Sequence, residues 1–285
     1  MTISVVIPTH NRALYLPRAV GSVLAQERVE LELIVVDDGS TDNTQEVLAG
    51  YRDSRLQVVC QARMGVAAAR NRGIEAGRGE YVALLDSDDE WLPQKLSRQL
   101  AFHREGGWAV TQTEETWIRR GRLVQPQRKH AKKSGWIFAP SLDLCLVSPS
   151  CSMFSRSFWE DVGPFDERLP ACEDYDLWLR AGLRYPVGLL PEPLVRKFGG
   201  HADQLSRKII GLDLYRIYSL VSLLQHPCLG KEQRGLVESA LRERAGRYIQ
   251  GCLKRGKPEE AQRVKRLLGC GSEGGLERQG GPAGP

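Results

Sequence analysis

Apolar residues along this chain arrive in short runs, each halted by a polar turn and followed by a segment whose apolar positions recur every three or four residues. Ile3-Ser4-Val5-Val6-Ile7 stops at Pro8-Thr9, and Leu16, Val20, Val23 and Leu24 then fall at helical spacing. Residues 31–36 stop at Asp37-Asp38-Gly39-Ser40, and residues 42–48 read as a helix entered through polar capping residues. Residues 56–59 lead to Gly65 and a helix over 66–76 that closes on Gly77. Tyr81-Val82-Ala83-Leu84-Leu85 breaks directly into Asp86-Ser87-Asp88-Asp89, after which Leu92-Pro93 opens a helix with Leu92, Leu96 and Leu100 on one side. Strands alternating with helices predict an α/β fold: a mostly parallel, twisted sheet with right-handed crossovers and flanking helices. A second apolar passage covers 187–195, and beyond 206 the spacing turns helical, through 212–224 and then Leu236, Ala240, Leu241, Ala245, Tyr248 and Ile249. Such a C-terminal helical extension packs beneath the sheet or offers a dimer contact. The Gly- and Pro-rich residues 269–285 read as a disordered tail.

Parallel strands present their carboxyl ends to one edge, where open α/β sheets bind ligands. That edge collects Pro8, Thr9 and Arg12, then Asp37 and Asp38, then Asp86 and Asp88. Neither a Gly-x-Gly-x-x-Gly fingerprint nor a P-loop follows the first strand, which excludes the ordinary dinucleotide and P-loop domains. Three acids within four residues repel one another and suit a hard divalent cation, Mg²⁺ or Mn²⁺, carrying substrate phosphates.

Composition narrows the setting. The chain has 285 residues, 41% of them hydrophobic, enough for a packed core. No stretch approaches a membrane span, and the N-terminus lacks the basic and apolar regions of a signal peptide, so a cytoplasmic protein is expected. Seven scattered cysteines without a Cys-x-x-Cys pair favour reduced, mostly buried thiols over disulfides or structural zinc. A net charge of +5 is too small to imply a nucleic-acid partner.

Five stretches then stand in order: Val-Val-Ile-Pro-Thr-His-Asn-Arg, Ile-Val-Val-Asp-Asp-Gly-Ser-Thr-Asp, Ala-Arg-Asn-Arg-Gly-Ile, Gly-Glu-Tyr-Val-Ala-Leu-Leu-Asp-Ser-Asp-Asp, and Gly-Pro-Phe-Asp-Glu with Cys-Glu-Asp-Tyr-Asp-Leu-Trp-Leu-Arg. From residue 3 to about residue 205 the chain resembles the family 2 glycosyltransferases of GT-A fold. The resemblance implies a nucleoside-diphosphate sugar donor, a divalent metal held through a DxD motif, and inversion at the anomeric carbon. It divides the chain into a nucleotide-sugar half (1–110), an acceptor half (111–205), C-terminal helices (206–268) and the tail.

Carried onto this chain, Pro8, Thr9 and Arg12 lie near the nucleoside, and Asp38 accepts a hydrogen bond from the base. A carboxylate there can pair with uracil, thymine or guanine, so UDP, GDP and dTDP stay open. Asp37 stabilises its turn. Arg70 is either a nucleotide contact or a solvated helix arginine. Asp88 is the direct metal ligand, Asp86 a ribose or metal-water contact, and Asp89 a cap for the next segment. Asp174 is the general base that takes the acceptor's proton, with Glu173 the alternative and Asp176 a packing or capping residue. His201 is a further metal or diphosphate contact, or else a surface histidine.

Residues 117–133 hold seven basic side chains and no acid. They form either a mobile, solvated loop or a strip that meets an anionic acceptor or a membrane-surface pyrophosphate lipid, which would put the protein at the inner face of the membrane. Of Trp108, Trp117, Trp136 and Trp159 most are expected in the core. The function expected is transfer of a hexosyl group to a hydroxyl acceptor in glycan, glycolipid or surface-polysaccharide assembly. The alternatives are a nucleotidyltransferase and a non-catalytic nucleotide-sugar-binding subunit.

Overall fold

A computed structural model describes residues 1–125, 127–200, 209 and 211–270. Four parallel strands form its first half: β1 (Thr2–Thr9), β2 (Glu30–Asp38), β3 (Leu56–Gln61) and β4 (Tyr81–Leu84). They lie in the order β3-β2-β1-β4, as the alternating runs predict. Ile3, Val5, Ile7, Leu33 and Val35 are fully buried under α1 (Leu16–Leu24), which inserts Leu16, Ala19, Val20 and Val23. Each such valine or leucine contributes about 1.5–3 kcal/mol of burial. The opposite face takes α3 (Val66–Ala76). A methyl group on Gly73 would lie 2.3 Å from the side chain of Val6, so only glycine lets α3 sit this close to β1. The short helix α2 (Thr44–Ala49) links β2 to β3.

Beyond β4 the parallel pattern gives way to a mixed one. β8 (Ser152–Ser155) pairs antiparallel with β4 and with β6 (Val110–Arg119), β6 pairs parallel with β9 (Val187–Gly199), and β9 pairs antiparallel with β5 (Glu90–Trp91). The helix expected from Leu92 therefore starts later, as α4 (Lys95–Glu105): Glu90 and Trp91 are taken into the sheet, and the Leu92 N–H donates to the Leu194 carbonyl. A register shift between β6 and β9 falls opposite Pro193, which has no N–H for the ladder.

The basic stretch is solvated over most of its length but carries local structure. β7 (Arg122–Val124) folds back on β6 as a tight hairpin, and Lys132 turns inward to Glu115 at 3.0 Å. Among the four tryptophans only Trp159 is buried, and Trp136 is 66% exposed. Most of the aromatic packing in this half comes instead from Phe154, Phe158, Phe165 and Trp178. Cys60, Cys145, Cys151, Cys172, Cys228 and Cys252 are free thiols, and of these Cys151 and Cys252 are buried.

The C-terminal helices α8 (Leu212–Leu223), α9 (Lys231–Lys254) and α10 (Pro258–Cys270) pack on the short α5 (Phe138–Ser141) and on α7 (Glu173–Gly182) rather than on the sheet itself. No described helix is long and apolar enough to cross a membrane.

Candidate active site

The carboxyl ends of β1, β2 and β4 converge as the parallel topology requires. Thr9 stands beside Asp37 in the β1–β2 register; it is 3% exposed, and its hydroxyl has no hydrogen-bond partner among the described residues. A buried, unpaired hydroxyl costs about 1–3 kcal/mol, a cost that a ligand can repay. Asn11, at φ 53°, stitches the first loop to the second: its side-chain carbonyl accepts from the N–H groups of Thr41 and Asp42. Asp37 stabilises its turn as expected, accepting from the Ser40 N–H at 3.0 Å and from Gln45 at 3.1 Å. Gly39, in the same turn, adopts φ +69°, and a Cβ there would meet the Arg63 backbone nitrogen at 2.9 Å.

Asp38 reaches the start of α3. Its carboxylate accepts from the N–H groups of Met64 (2.8 Å) and Gly65 (2.9 Å) and from the Gln61 amide (2.8 Å). Three of its four lone-pair positions are thereby occupied, and one on Oδ2 is left.

Arg70 is 4% exposed, which removes the solvated-helix alternative. One guanidinium nitrogen donates to Asp86 Oδ1 at 2.7 Å, the other to Glu173, and the Phe165 ring lies 5.3 Å away. A single buried cation thus joins the acidic turn after β4 to the first residue of α7. Burial opposes ionisation of Asp86, but Arg70 and Lys197 outweigh it and hold its carboxyl below the ordinary range. Burial pushes Glu173 up to about 7 against the pull of Arg70, with Asp174 adding to the rise. Asn71, next to Arg70 in the chain, grips the Phe165 backbone from both sides, donating to the Phe165 carbonyl at 3.0 Å and accepting from the Phe165 N–H at 2.9 Å. Adjacent residues of α3 therefore hold the acidic turn, α7 and the Gly-Pro-Phe-Asp-Glu loop in one arrangement.

Asp88 is partly exposed; burial, reinforced by Asp86 and offset by Arg12, raises its carboxyl above the usual value. Asp89 does not cap a helix. It is 2% exposed, accepts from the Ser150 hydroxyl at 2.6 Å and from the Phe198 N–H at 3.1 Å, and burial drives it up to about 8. Ser150 in turn accepts from the Asp86 N–H at 3.1 Å. Arg18 lies 3.5 Å over the Phe198 ring and donates to the Asp88 carbonyl. Ser150, Phe198, Arg18 and Lys197 thus fasten the acidic turn to β9, and no motif announced any of them.

Asp174 is the second residue of α7, whose N-cap Cys172 has a φ of 63°, unusual for a side-chain-bearing residue. One Asp174 oxygen accepts from the Tyr175 N–H at 2.7 Å and the other from the Cys145 thiol at 3.6 Å. Asp174 is partly exposed, whereas Glu173 is buried on Arg70. Asp176 packs as expected, paired with Arg180 at 2.9 Å. His201 lies outside the described residues. Among those described, no group of three His, Cys, Asp or Glu side chains is placed to hold a metal ion by itself. A cavity of about 410 Å³ opens beyond Phe165, lined by Asn71, Glu75, Asp166, Asp176 and Arg180 among others, and none of the converging carboxylates at Asp38, Asp86, Asp88 or Asp174 lines it.

The sequence model of Glycosyl transferase family 2 matches residues 4–163, more than half of the chain. The chain belongs to glycosyl transferase family 2. Among curated relatives, an uncharacterized glycosyltransferase of Rickettsia felis is 30% identical over 233 residues, covering 80% of this chain and 38% of that protein. The putative teichuronic acid biosynthesis glycosyltransferase TuaG of Bacillus subtilis is 43% identical over 114 residues, 39% of this chain and 45% of TuaG. The chain thus spans about two-fifths of the length of such relatives. The crystal structure of S. aureus TarS 1–349 in complex with UDP-GlcNAc superposes with a TM-score of 0.74 at 23% identity, covering 95% of this chain and 80% of that one. That similarity establishes the GT-A-like fold of a family 2 chain. The family match ends before α7, so Asp174 rests on the geometry and the motif.

Proposed function

We propose that this chain is an inverting glycosyltransferase that moves a hexosyl group from a nucleoside-diphosphate sugar to a hydroxyl acceptor. One observation carries the reading: buried Arg70 ties the acidic turn of Asp86 and Asp88 to the helix that begins at Glu173 and Asp174. A diphosphate end and a proton-accepting end are thereby held in one rigid arrangement, as a single displacement requires. We assign donor binding to residues 1–110 and acceptor binding to 111–205.

Thr9, Arg12 and the remaining lone pair of Asp38 are the contacts assigned to the nucleoside, with Pro8 ending the strand beneath it. Because Arg70 spends its two terminal nitrogens on Asp86 and Glu173, it positions the donor site; any nucleotide contact is secondary. The donor set fits a divalent cation. Asp86 and Asp88 bring two hard carboxylate donors to one turn, the chemistry that Mn²⁺ and Mg²⁺ take. Mn²⁺ or Mg²⁺ would be held by Asp88, with Asp86 and His201 as further candidates, and would supply neutralisation of the charge on the departing diphosphate. In the transfer, Asp174 takes the proton of the acceptor hydroxyl as that oxygen bonds to the anomeric carbon and the bond to the diphosphate breaks on the opposite face. Partly exposed Asp174 is open to an acceptor, and Glu173 is not, which favours Asp174 as base.

The test is hydrolysis of UDP-, GDP- and dTDP-hexoses with and without Mn²⁺, UDP first because the TarS neighbour was crystallised with UDP-GlcNAc. Metal-dependent release of nucleoside diphosphate is expected, together with nucleotide binding that survives Asp174→Asn. Binding without release in any panel member, with a range of hydroxyl acceptors added, would show a non-catalytic sugar-nucleotide subunit instead. Transfer undiminished in Asp174→Asn would remove the base assignment alone.

A further inference from the structure

The hairpin between β6 and β7 breaks three local rules within five residues. Arg119 stands directly opposite Arg122 in the ladder, where like charges repel. Arg120 and Gly121 make the two-residue turn with φ of 51° and 73°, a conformation that favours Asn or Gly over Arg at the first position. Leu123, next along, is 68% exposed. Sequences commonly depart from local consistency where a binding partner repays the cost.

The surrounding charge points the same way. Arg119, Arg120, Arg122, Arg128, Lys129 and Lys133 are all exposed, and only Lys132 turns inward. These seven cations exceed the whole chain's net charge of +5, so the remainder of the protein is net negative. Trp117 joins two parts of the strip, with Arg119 5.3 Å from its ring and the His130 ring tilted against it at 5.3 Å. Ile118 and Arg119 pair with Phe198 and Gly199, and the Phe198 N–H is bonded to Asp89 of the acidic turn. The cationic surface thus borders the crevice.

We propose that the 119–123 hairpin and the adjoining 128–133 strip rest on an anionic membrane surface, the guanidinium and ammonium groups on lipid phosphates and Leu123 in the boundary between headgroups and acyl chains. A soluble polyanion would satisfy the charges and leave Leu123 in water. Seated in this way, the crevice opens next to the bilayer, within reach of a lipid-linked acceptor.

The experiment is co-sedimentation of the full chain with vesicles of phosphatidylcholine alone and of phosphatidylcholine containing phosphatidylglycerol. Binding is expected only to the anionic vesicles, weakened by high salt. It should fall by about tenfold or more in an Arg120→Asn/Arg122→Gln variant and also, at unchanged charge, in Leu123→Ser. The double variant should melt no lower than the parent, because it relieves the repulsion and the strained turn residue. No binding to anionic vesicles, equal binding to neutral ones, or binding indifferent to either variant overturns the assignment. Capture of soluble polyphosphate with loss of neither affinity nor salt sensitivity in Leu123→Ser, and no vesicle binding, would identify a soluble polyanion as the partner. Vesicle binding is read without substrate, so its loss and the loss of glycosyl transfer are separately visible.

Discussion

Replacing Arg70 by methionine keeps the length and apolar stem of the side chain while removing the cation that bridges Asp86 and Glu173. Glu173 is 5% exposed, so it is left as a buried acid without its partner. Removing one member of a buried pair costs about 3–5 kcal/mol, far more than the pair itself adds over an apolar substitute. The pH dependence follows from the shifts. Burial already raises Glu173 to about 7 in the native protein, well above the ordinary glutamate range. A raised carboxyl contributes stability that is complete below its unfolded value and is lost as pH climbs through the folded one. Without Arg70 both Glu173 and Asp86 rise further, so the deficit of Arg70→Met is largest above pH 7 and shrinks on acidification as Glu173 takes up its proton. Urea unfolding at several pH values between 5 and 8 measures this, and Arg70→Met/Glu173→Gln closes the cycle. The second substitution should recover roughly 1–3 kcal/mol at the alkaline end by removing the stranded charge. A deficit below about 1 kcal/mol, or one that does not vary with pH, would refute the buried bridge.

Three further outcomes are expected. Lys95 is fully buried, its ammonium 3.7 Å over the Trp91 ring and without a hydrogen-bond partner among the described residues, so Lys95→Met should stabilise by about 1–3 kcal/mol in urea unfolding. Burial lowers Lys95 to about 7, so the parent's handicap is complete below pH 7 and fades toward the ordinary lysine value; a gain that grows with pH would contradict this. Ser150→Ala strips a partner from both Asp89 and the Asp86 N–H and should cost about 2–3 kcal/mol while raising the donor KM; an unchanged KM would separate Ser150 from the donor site. Gly39→Ala should lose about 1–3 kcal/mol from its positive φ and its contact with Arg63, and a melting temperature equal to the parent's would be inconsistent with that turn.

What could be read from the chain, and what could not, divides by the range of the contacts involved. The helix over 66–76 keeps its bounds because its period, its Gly65 entry and its Gly77 exit are all local. The acidic turn was legible as a strand end for the same reason. Arg70, however, could be a nucleotide contact or a solvated arginine as far as sequence shows, because its partners lie 16 and 103 residues away. Asp89 looked like a cap because caps are local, whereas its carboxylate serves Ser150 and Phe198, 61 and 109 residues distant. The short strand at Glu90 and Trp91 likewise exists only because β9 supplies its partner. The basic stretch carried the signal of its charge but not of its hairpin, since the turn there uses an arginine where asparagine or glycine would mark it.

The same division explains why Ala-Arg-Asn-Arg-Gly-Ile is a motif at all. Ala69 and Gly73 set how closely α3 approaches the sheet, which fixes the height at which the side chains between them emerge. Arg70 then spans to Asp86 and Glu173, and Asn71 clasps Phe165, whose ring closes over the guanidinium. Enlarging Gly73 to alanine would therefore act at a distance. The 2.3 Å clash with Val6 pushes α3 outward, and Arg70 can no longer reach both carboxylates in their present positions. Gly73→Ala should accordingly depress donor binding and transfer together although residue 73 touches neither substrate, and Val6→Ala, which vacates the clashing methyls, should restore part of both. Normal kinetics in Gly73→Ala, or a defect that Val6→Ala does not relieve, would mean that the height of α3 does not govern the bridge.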